Sequence, residues 1–394
     1  MLYLLDGTKD IFYIGADDRD MRLFENQYHT PEGISYNSYL IRDEKCVVMD
    51  TADERVREQW LANLEEALEG KTPDYLVVSH MEPDHSACVK AFTEEYPEAK
   101  LIVNAKTLVF LKQFFGEDFS DRAEIVKEGD IIDTGSHKLK FIMAPMVHWP
   151  EVMVAYDTVS KALFSADAFG TFGVLDGKIA DPGDDWAREA SRYYINIVGK
   201  YGNPVSNLLK KVTEAAPDLK MICPLHGPVL TEDIGRYLEY YTKWSSYEAD
   251  LEGTFIVHAS LHGNTREIAL QFGQMLASKG EAVAYSDLTV DDIPAAVAKA
   301  FRFGKIVLMS STYENDIMPA MNDFLYRLTL KGCMNKKMGI VENYSWGAVA
   351  GKKMRNLVEA MKGMEIVEPL VSVKTRLDAQ SEEQLGQLAE VIAG

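Results

Sequence analysis

Beyond about residue 250 the chain alternates short apolar runs with helical patterns almost without a break, and this rhythm constrains the fold most. "TFIVHAS" leads into a helix from about residue 264, "AVAYSDL" into one near 292, and "KIVLMSS" into one near 318. "KMGIVEN" precedes a helix near 350, and a last helix runs from about 380. Strands that alternate with helices form a parallel sheet with helices on both faces, so residues 251–394 predict a doubly wound α/β domain.

Residues 1–250 follow another grammar. "SYNSYLI" and "KCVVMD" flank the turn "RDEK", and "EVMVAYD" and "KALFSA" flank "TVS", two antiparallel-looking pairs. Helical patterns cover 53–68 and 184–200. At 394 residues the chain exceeds what one core usually supports. Two domains, 1–250 and 251–394, meet near the polar "SYEADLEG".

Composition excludes several classes. A formal net charge of −20 argues against nucleic acid, which is bound through clustered Lys and Arg. The N-terminal "MLYLLDGTKDIFYIGADDRD" lacks the basic start of a signal peptide, and no apolar run approaches the roughly 20 residues of a membrane span. Four scattered cysteines form no C-x-x-C, which excludes a rubredoxin-like module within the chain and suits a reducing cytoplasm.

The densest chemistry is "SHMEPDHSAC", where His80, Glu82, Asp84 and His85 leave the strand "DYLVVSH" together. Pro83 disfavours helix through Glu82 and splays the loop. Ligands at such spacing converge poorly on one ion and divide readily between two. His148 in "APMVHWPE", Asp167 in "LFSADAFG" and His226 in "MICPLHGP" also follow apolar runs, at strand ends where sites are built. Taken singly, each has an ordinary reading as a packed histidine or a turn-forming aspartate; seven at matching strand ends do not. Of the other histidines, His29 and His137 are expected at the surface, and His258 and His262 belong to the second domain.

"SLHGNT" follows a strand and opens a helix, where backbone N–H groups accept a phosphate. No Walker lysine follows it. The candidate residues here are Ser260, Leu261, His262, Gly263, Asn264 and Thr265, with Gly263 allowing close backbone approach. The loops leaving the next two parallel strands add Ser311, Thr312, Tyr313, Glu314 and Asn315, then Asn343, Tyr344, Ser345, Trp346 and Gly347. Tyr313 and Trp346 supply aromatic faces for a planar ring.

The pattern H-x-E-x-D-H followed by H, D and H resembles the flavodiiron proteins, whose metal domain is a metallo-β-lactamase-like αβ/βα sandwich followed by a flavodoxin-like domain. Zinc hydrolases of that fold carry H-x-H-x-D-H; Glu82 in place of the second histidine makes the donor set harder and more anionic, suiting iron better than zinc. The resemblance implies that His80, Glu82, His148 and Asp167 hold one iron and Asp84, His85, Asp167 and His226 the other, with Asp167 and an oxo or hydroxo group as bridges. "SLHGNT" likewise resembles the FMN loop of flavodoxins. Where the family carries close variants of S-P-T-Y-N and S-Y-G-W, this chain has Ser310-Ser311-Thr312-Tyr313-Glu314 and Asn343-Tyr344-Ser345-Trp346.

The resemblance spans nearly the whole chain and implies the minimal two-domain class, an oxidoreductase with no catalytic residue beyond its diiron ligands. It implies that electrons pass from an external donor, a small iron–sulfur carrier such as rubredoxin or in some members a reduced deazaflavin, with a dedicated reductase as the alternative, through FMN to the irons. There dioxygen is reduced to water or, alternatively, nitric oxide to nitrous oxide. A head-to-tail homodimer, or a tetramer, would serve one copy's irons from the other's flavin. A dizinc hydrolase and a plain electron carrier are the rival readings. The family's F-H-G segment is replaced by "LFENQYHTPEG", with Glu25 after Phe24 and His29 four residues further on. Packing of an amphipathic helix accounts for Tyr193 and Tyr194 in "SRYYINI", with a place at the pocket as the alternative.

Overall fold

The computed structural model describes residues 3–180, 182–183 and 185–394. The chain divides into two units: Met1–Tyr194 with Tyr201–Thr242, and Ile195–Lys200 with Lys243–Gly394. The division falls inside the helix Ile234–Ser245. Among the described residues no helix is long and apolar enough to cross a membrane.

The first unit is built on two sheets. One has seven strands in the order Tyr3–Leu4, Ile11–Tyr13, Tyr39–Arg42, Cys46–Met49, Tyr75–Val77, Lys100–Val103 and Ala123–Ile125. The other has five: Ile131–Asp133, Lys138–Met143, Met153–Asp157, Ala162–Phe164 and Met221–Cys223. Both expected pairs form antiparallel, with Ile41 opposite Val47 and Ala155 opposite Phe164.

Side chains alternate across each sheet. Tyr39, Ile41, Val47, Met49, Val77 and Ile102 meet Leu139, Phe141, Met153, Ala155 and Phe164 in one core between the sheets. Their neighbours Leu40, Val48, Leu76 and Leu101 face the other way and are also buried. The helix Arg57–Leu68 packs on the strand Tyr39–Arg42 with Trp60, Leu64, Ala67 and Leu68 buried. A strand buried on both faces reads as a continuous apolar run, as in "CVVM".

His137, expected at the surface, is buried. It lies between the strands Ile131–Asp133 and Lys138–Met143. Its Nδ1 is 2.7 Å from Asp157 at the end of a strand in the same sheet. Its Nε2 is 2.9 Å from Asp10, which precedes the strand Ile11–Tyr13 of the other sheet. The ring therefore ties one sheet to the other.

The second unit is the doubly wound sheet. Its parallel strands run in the order Val283–Asp287, Leu251–Ala259, Phe303–Tyr313 and Lys337–Tyr344, and the last pairs in turn with Glu365–Ile366 and Val371–Lys374. The helices Asn264–Ser278, Ile293–Arg302, Pro319–Lys331, Ala350–Glu359 and Ala379–Ala393 start within a few residues of their expected positions. Two starts have evident local causes. Asp292 accepts from the Ala295 N–H, and Asp378 and Ser381 cap each other reciprocally. The chain reverses direction across the sheet between Leu251–Ala259 and Phe303–Tyr313, so their carboxyl ends open the crevice where such sheets bind ligands.

Candidate functional site

Pro83 is the first residue of the short helix Pro83–Ser86, and Glu82 before it is extended (φ −61°, ψ 137°). An extended residue followed by a helical turn sends successive side chains in different directions. Glu82 thus joins His80, His148 and Asp167 in one group, whereas Asp84 and His85 join His226 in a second. Asp167 and His226 each follow the end of a strand in the five-stranded sheet, Ala162–Phe164 and Met221–Cys223. Next to His226, Gly227 has φ 77°, and a Cβ there would stand 2.1 Å from Thr171 Oγ1.

The geometry is that of donors around shared ions. Glu82 Oε2 lies 3.3 Å from His80 Nε2 and 3.1 Å from His148 Nε2. Asp84 Oδ2 lies 3.1 Å from both His85 Nε2 and His226 Nε2. Asp167 faces both groups: Oδ2 is 3.3 and 3.4 Å from His80 and His148, and Oδ1 is 3.2 and 3.8 Å from His85 and His226. Atoms bound about 2.1 Å from one ion stand roughly 3.0–3.4 Å apart. Yet His85 Nε2 and His148 Nε2, although buried this close to carboxylates, have no hydrogen-bond partner. The approach is close but not aimed along N–H bonds, which suits a cation between the groups.

The electrostatics agree. Burial alone would lower the histidine pKa values, but the surrounding carboxylates raise His80 well above its usual range, His85 to about 10 and His148 to about 9. Burial alone would raise the aspartates, but the imidazoles hold Asp84 and Asp167 far below the usual carboxylate range. The cluster has a strong demand for positive charge, which protons or metal ions satisfy.

Outer contacts turn Nε2 of two histidines inward. His226 Nδ1 lies 2.6 Å from the Ser35 carbonyl, an acceptor only, so the proton is on Nδ1. His80 Nδ1 lies 2.8 Å from Glu151 Oε1. Tyr193 departs from the packing account: it is buried, and its hydroxyl donates to Asp167 Oδ1 at 2.9 Å. Tyr194 packs on Tyr241 instead, with ring centres 5.0 Å apart. Phe24, Tyr36 and Tyr193 surround the His226 ring at 5.4, 5.7 and 5.5 Å. His29 is exposed; Phe24 is the residue of its segment that reaches the cluster.

In the second unit a cavity of about 560 Å³ opens at the crevice. The candidate residues from 260–265 line it, Gly263 excepted, together with all those from 311–315 and 343–347. Gly263 precedes the helix at φ 100°, a conformation that favours glycine, with open space around its missing Cβ. Its N–H donates to Ser260 Oγ at 3.0 Å, and the Thr265 and Ser311 hydroxyls are 2.8 Å apart. Thr312 Oγ1 accepts from the Val349 and Ala350 N–H groups, fixing the loop that carries Trp346.

Thr375 also lines the cavity and had no motif to announce it. Its carbonyl accepts from the Asn264 and Asn343 amides, tying two of the loops together. Glu314 and Asn315 both have positive φ, 47° and 59°, in the two-residue turn between paired Tyr313 and Asp316. Trp346 is 96% exposed and Tyr313 36%, two rings at the cavity's lip. No lysine or arginine lines this cavity, so a phosphate here would meet hydroxyls and the amides of a helix start. Size, aromatic lip and neutral donors fit a flavin mononucleotide.

Residues 34–227 match the family described as ODP family beta lactamase. The chain is 30% identical to a protein of Moorella thermoacetica named nitric oxide reductase, over 92% of this chain and 91% of that one. It is 31% identical to an anaerobic nitric oxide reductase flavorubredoxin of Vibrio vulnificus, over 93% of this chain and 74% of that protein. Among solved structures, the rubredoxin oxygen:oxidoreductase of Desulfovibrio gigas superposes with a TM-score of 0.91 at 23% identity, covering 100% of this chain and 98% of that one. The flavodiiron protein of Giardia intestinalis gives 0.90 at 24% identity, covering 99% and 96%. These two establish the fold: a metallo-β-lactamase-like unit and a flavodoxin-like unit in one chain. The relatives of 30% identity and above establish the rest, and the chain belongs to the flavodiiron proteins, a class of oxidoreductases.

Proposed function

We propose that the two histidine groups hold two iron ions, that the cavity of the second unit holds FMN, and that the protein reduces dioxygen to water with electrons from an external carrier. The observation that carries this reading is Asp167, whose two oxygens face the two groups separately. A carboxylate so placed bridges a pair of ions. Bound there, FMN and the irons would supply one-electron transfer, a place for a small gas to bind and a store of four electrons, the number dioxygen needs to become water.

The chain's own residues have separable tasks in this reading. His80, Glu82, His148 and Asp167 hold one ion; Asp84, His85, Asp167 and His226 hold the other. The three carboxylates offset metal charge and favour the higher oxidation state. The Tyr193 hydroxyl donates to Asp167 Oδ1 and holds that carboxylate's orientation, and Phe24, Tyr36 and Phe172 keep bulk water from the His226 side. In the other unit, Ser260, Asn264, Thr265 and Ser311 receive the phosphate, and Tyr313 and Trp346 receive the flavin ring.

The donor is a small iron–sulfur carrier of the rubredoxin type or a dedicated reductase, and the working form is a head-to-tail homodimer or a tetramer. The compartment is the cytoplasm, in keeping with four buried, unpaired cysteines. A second reading, coupling of nitric oxide to nitrous oxide, is favoured by the names of the relatives at 30% and 31% identity. Anaerobic stopped-flow of the metal-analysed, fully reduced protein against each gas tests the proposal. Fast oxidation by dioxygen with water as product supports the first reading, and nitrous oxide with sluggish dioxygen turnover supports the second. A protein that binds zinc and turns over neither gas refutes both.

A further inference from the structure

The two histidine groups are chemically unequal, and the inequality lies one layer out. On the second group, His226 gives its outer N–H to a neutral backbone carbonyl, Ser35, and His85 Nδ1 has no partner. On the first group, the outer nitrogen of His80 meets a carboxylate, Glu151. A carboxylate behind an imidazole draws its proton outward and makes the inner nitrogen a stronger donor.

Glu151 is an unusual residue to bury. Its side chain and that of His80 are both wholly inaccessible. Oε1 accepts from His80 at 2.8 Å and from the Met81 N–H at 2.9 Å, and Oε2 is buried with no hydrogen-bond partner. Among the described residues its only ion-pair partner is His80; no lysine or arginine reaches it. A carboxylate buried without a fixed cation is costly, and a neutral side chain of similar shape would serve as filler at less cost. Holding the loop does not require the charge either, since a neutral amide oxygen could accept from the same Met81 N–H. The Asn104 amide already donates to the Glu151 carbonyl, and the Met153 N–H donates to the Ser79 carbonyl at 3.1 Å. What remains is the effect of the negative charge on His80.

We propose that Glu151 is a positioning residue that makes the two metal half-sites unequal. Acting through His80, it makes the His80–Glu82–His148 half-site the tighter and more electron-rich. The Asp84–His85–His226 half-site is then the weaker binder. This inference rests on the dinuclear reading of the cluster.

The test is metal binding to the apoprotein, followed by cobalt(II) absorption in competition with a chelator. The parent should take up two ions per chain with resolved affinities. E151Q preserves shape and can still accept from His80 and Met81 but lacks the charge. It should weaken the tighter site by roughly 10–100-fold and leave the weaker one in place. D84N should do the reverse, identifying which half-site is which. In the iron-loaded protein, E151Q should also raise the potential of one of the two iron reduction steps. Two parent sites of equal affinity, or a folded E151Q with both affinities unchanged, would overturn the inference and leave the dinuclear reading standing. A parent that binds fewer than two ions would overturn the dinuclear reading itself. Because the inequality is measured first in the parent, failure of E151Q to fold does not remove the test.

Discussion

The phenol of Tyr193 donates to Oδ1 of Asp167 at 2.9 Å, the oxygen that faces His85 and His226 rather than the one that faces His80 and His148. The bond ties a helix residue to the carboxylate shared by both histidine groups. In the proposed function it holds that carboxylate's orientation. Y193F should keep two metals per chain and lower gas turnover about tenfold, the loss of one hydrogen bond to a charged group. Metal analysis and steady-state rates check it; unchanged turnover would return Tyr193 to packing.

Asp167 itself is the more severe position. D167A removes an oxygen from each half-site and leaves four buried histidines facing one another. Metal content should fall from two ions to one or none, while flavin stays bound because the flavin cavity lies in the other unit. Parallel metal and flavin analysis of the purified variant decides. Retention of both ions would remove the bridging role.

Trp346 at 96% exposure contacts too little protein to stabilise the fold, so W346A should leave thermal stability unchanged. If its ring covers the flavin, FMN affinity should fall about tenfold, the scale of one aromatic stacking contact. Quenching of FMN fluorescence on titration with the apoprotein measures this. Equal affinity in parent and variant would make Trp346 an ordinary exposed side chain.

His137 sets a pH dependence unrelated to metal. Burial alone would lower its pKa, but the carboxylates of Asp157 and Asp10 outweigh burial and raise it to about 9. A folded value above the unfolded value of roughly 6.5 means that the stabilisation is complete below about pH 6.5 and is lost as pH rises through 9. Urea unfolding from about pH 6 to pH 10 should show the parent losing stability over that window. H137Q should lose roughly 1.5–3 kcal/mol at the acidic end, because Asp157 and Asp10 lose the charged imidazole between them while Asp157 keeps its Ser160 and Val159 donors, and should respond less to pH. Parallel pH curves for the two proteins would show that the ring is not charged in the fold.

Much of this was legible in the sequence because it is local. Strand runs such as "TFIVHAS", and the helices expected near 292 and from about 380, depend on neighbours within a few residues, and the structure places them as expected. The seven cluster residues were legible because chemistry-bearing types stood at successive strand ends. Glu151 was not, since its partner is 71 residues away and nothing in "HWPE" says which way a glutamate turns. The Ser35 carbonyl that orients His226 lies 191 residues off and offers only backbone. His137 misled for the same reason: a histidine in a turn looks exposed until Asp10 and Asp157 are brought beside it. Tyr193 satisfied the helical pattern, so the pattern hid its second task.

By keeping Glu82 extended while Asp84 and His85 curl into a turn, Pro83 would decide, in the proposed function, how many ions the loop can serve, whereas the residue at 82 would decide which kind. Count and identity are thus written in adjacent but independent letters. An exchange of Glu82 for histidine would soften the donor set and shift its preference from iron toward zinc while leaving the backbone that Pro83 sets in place.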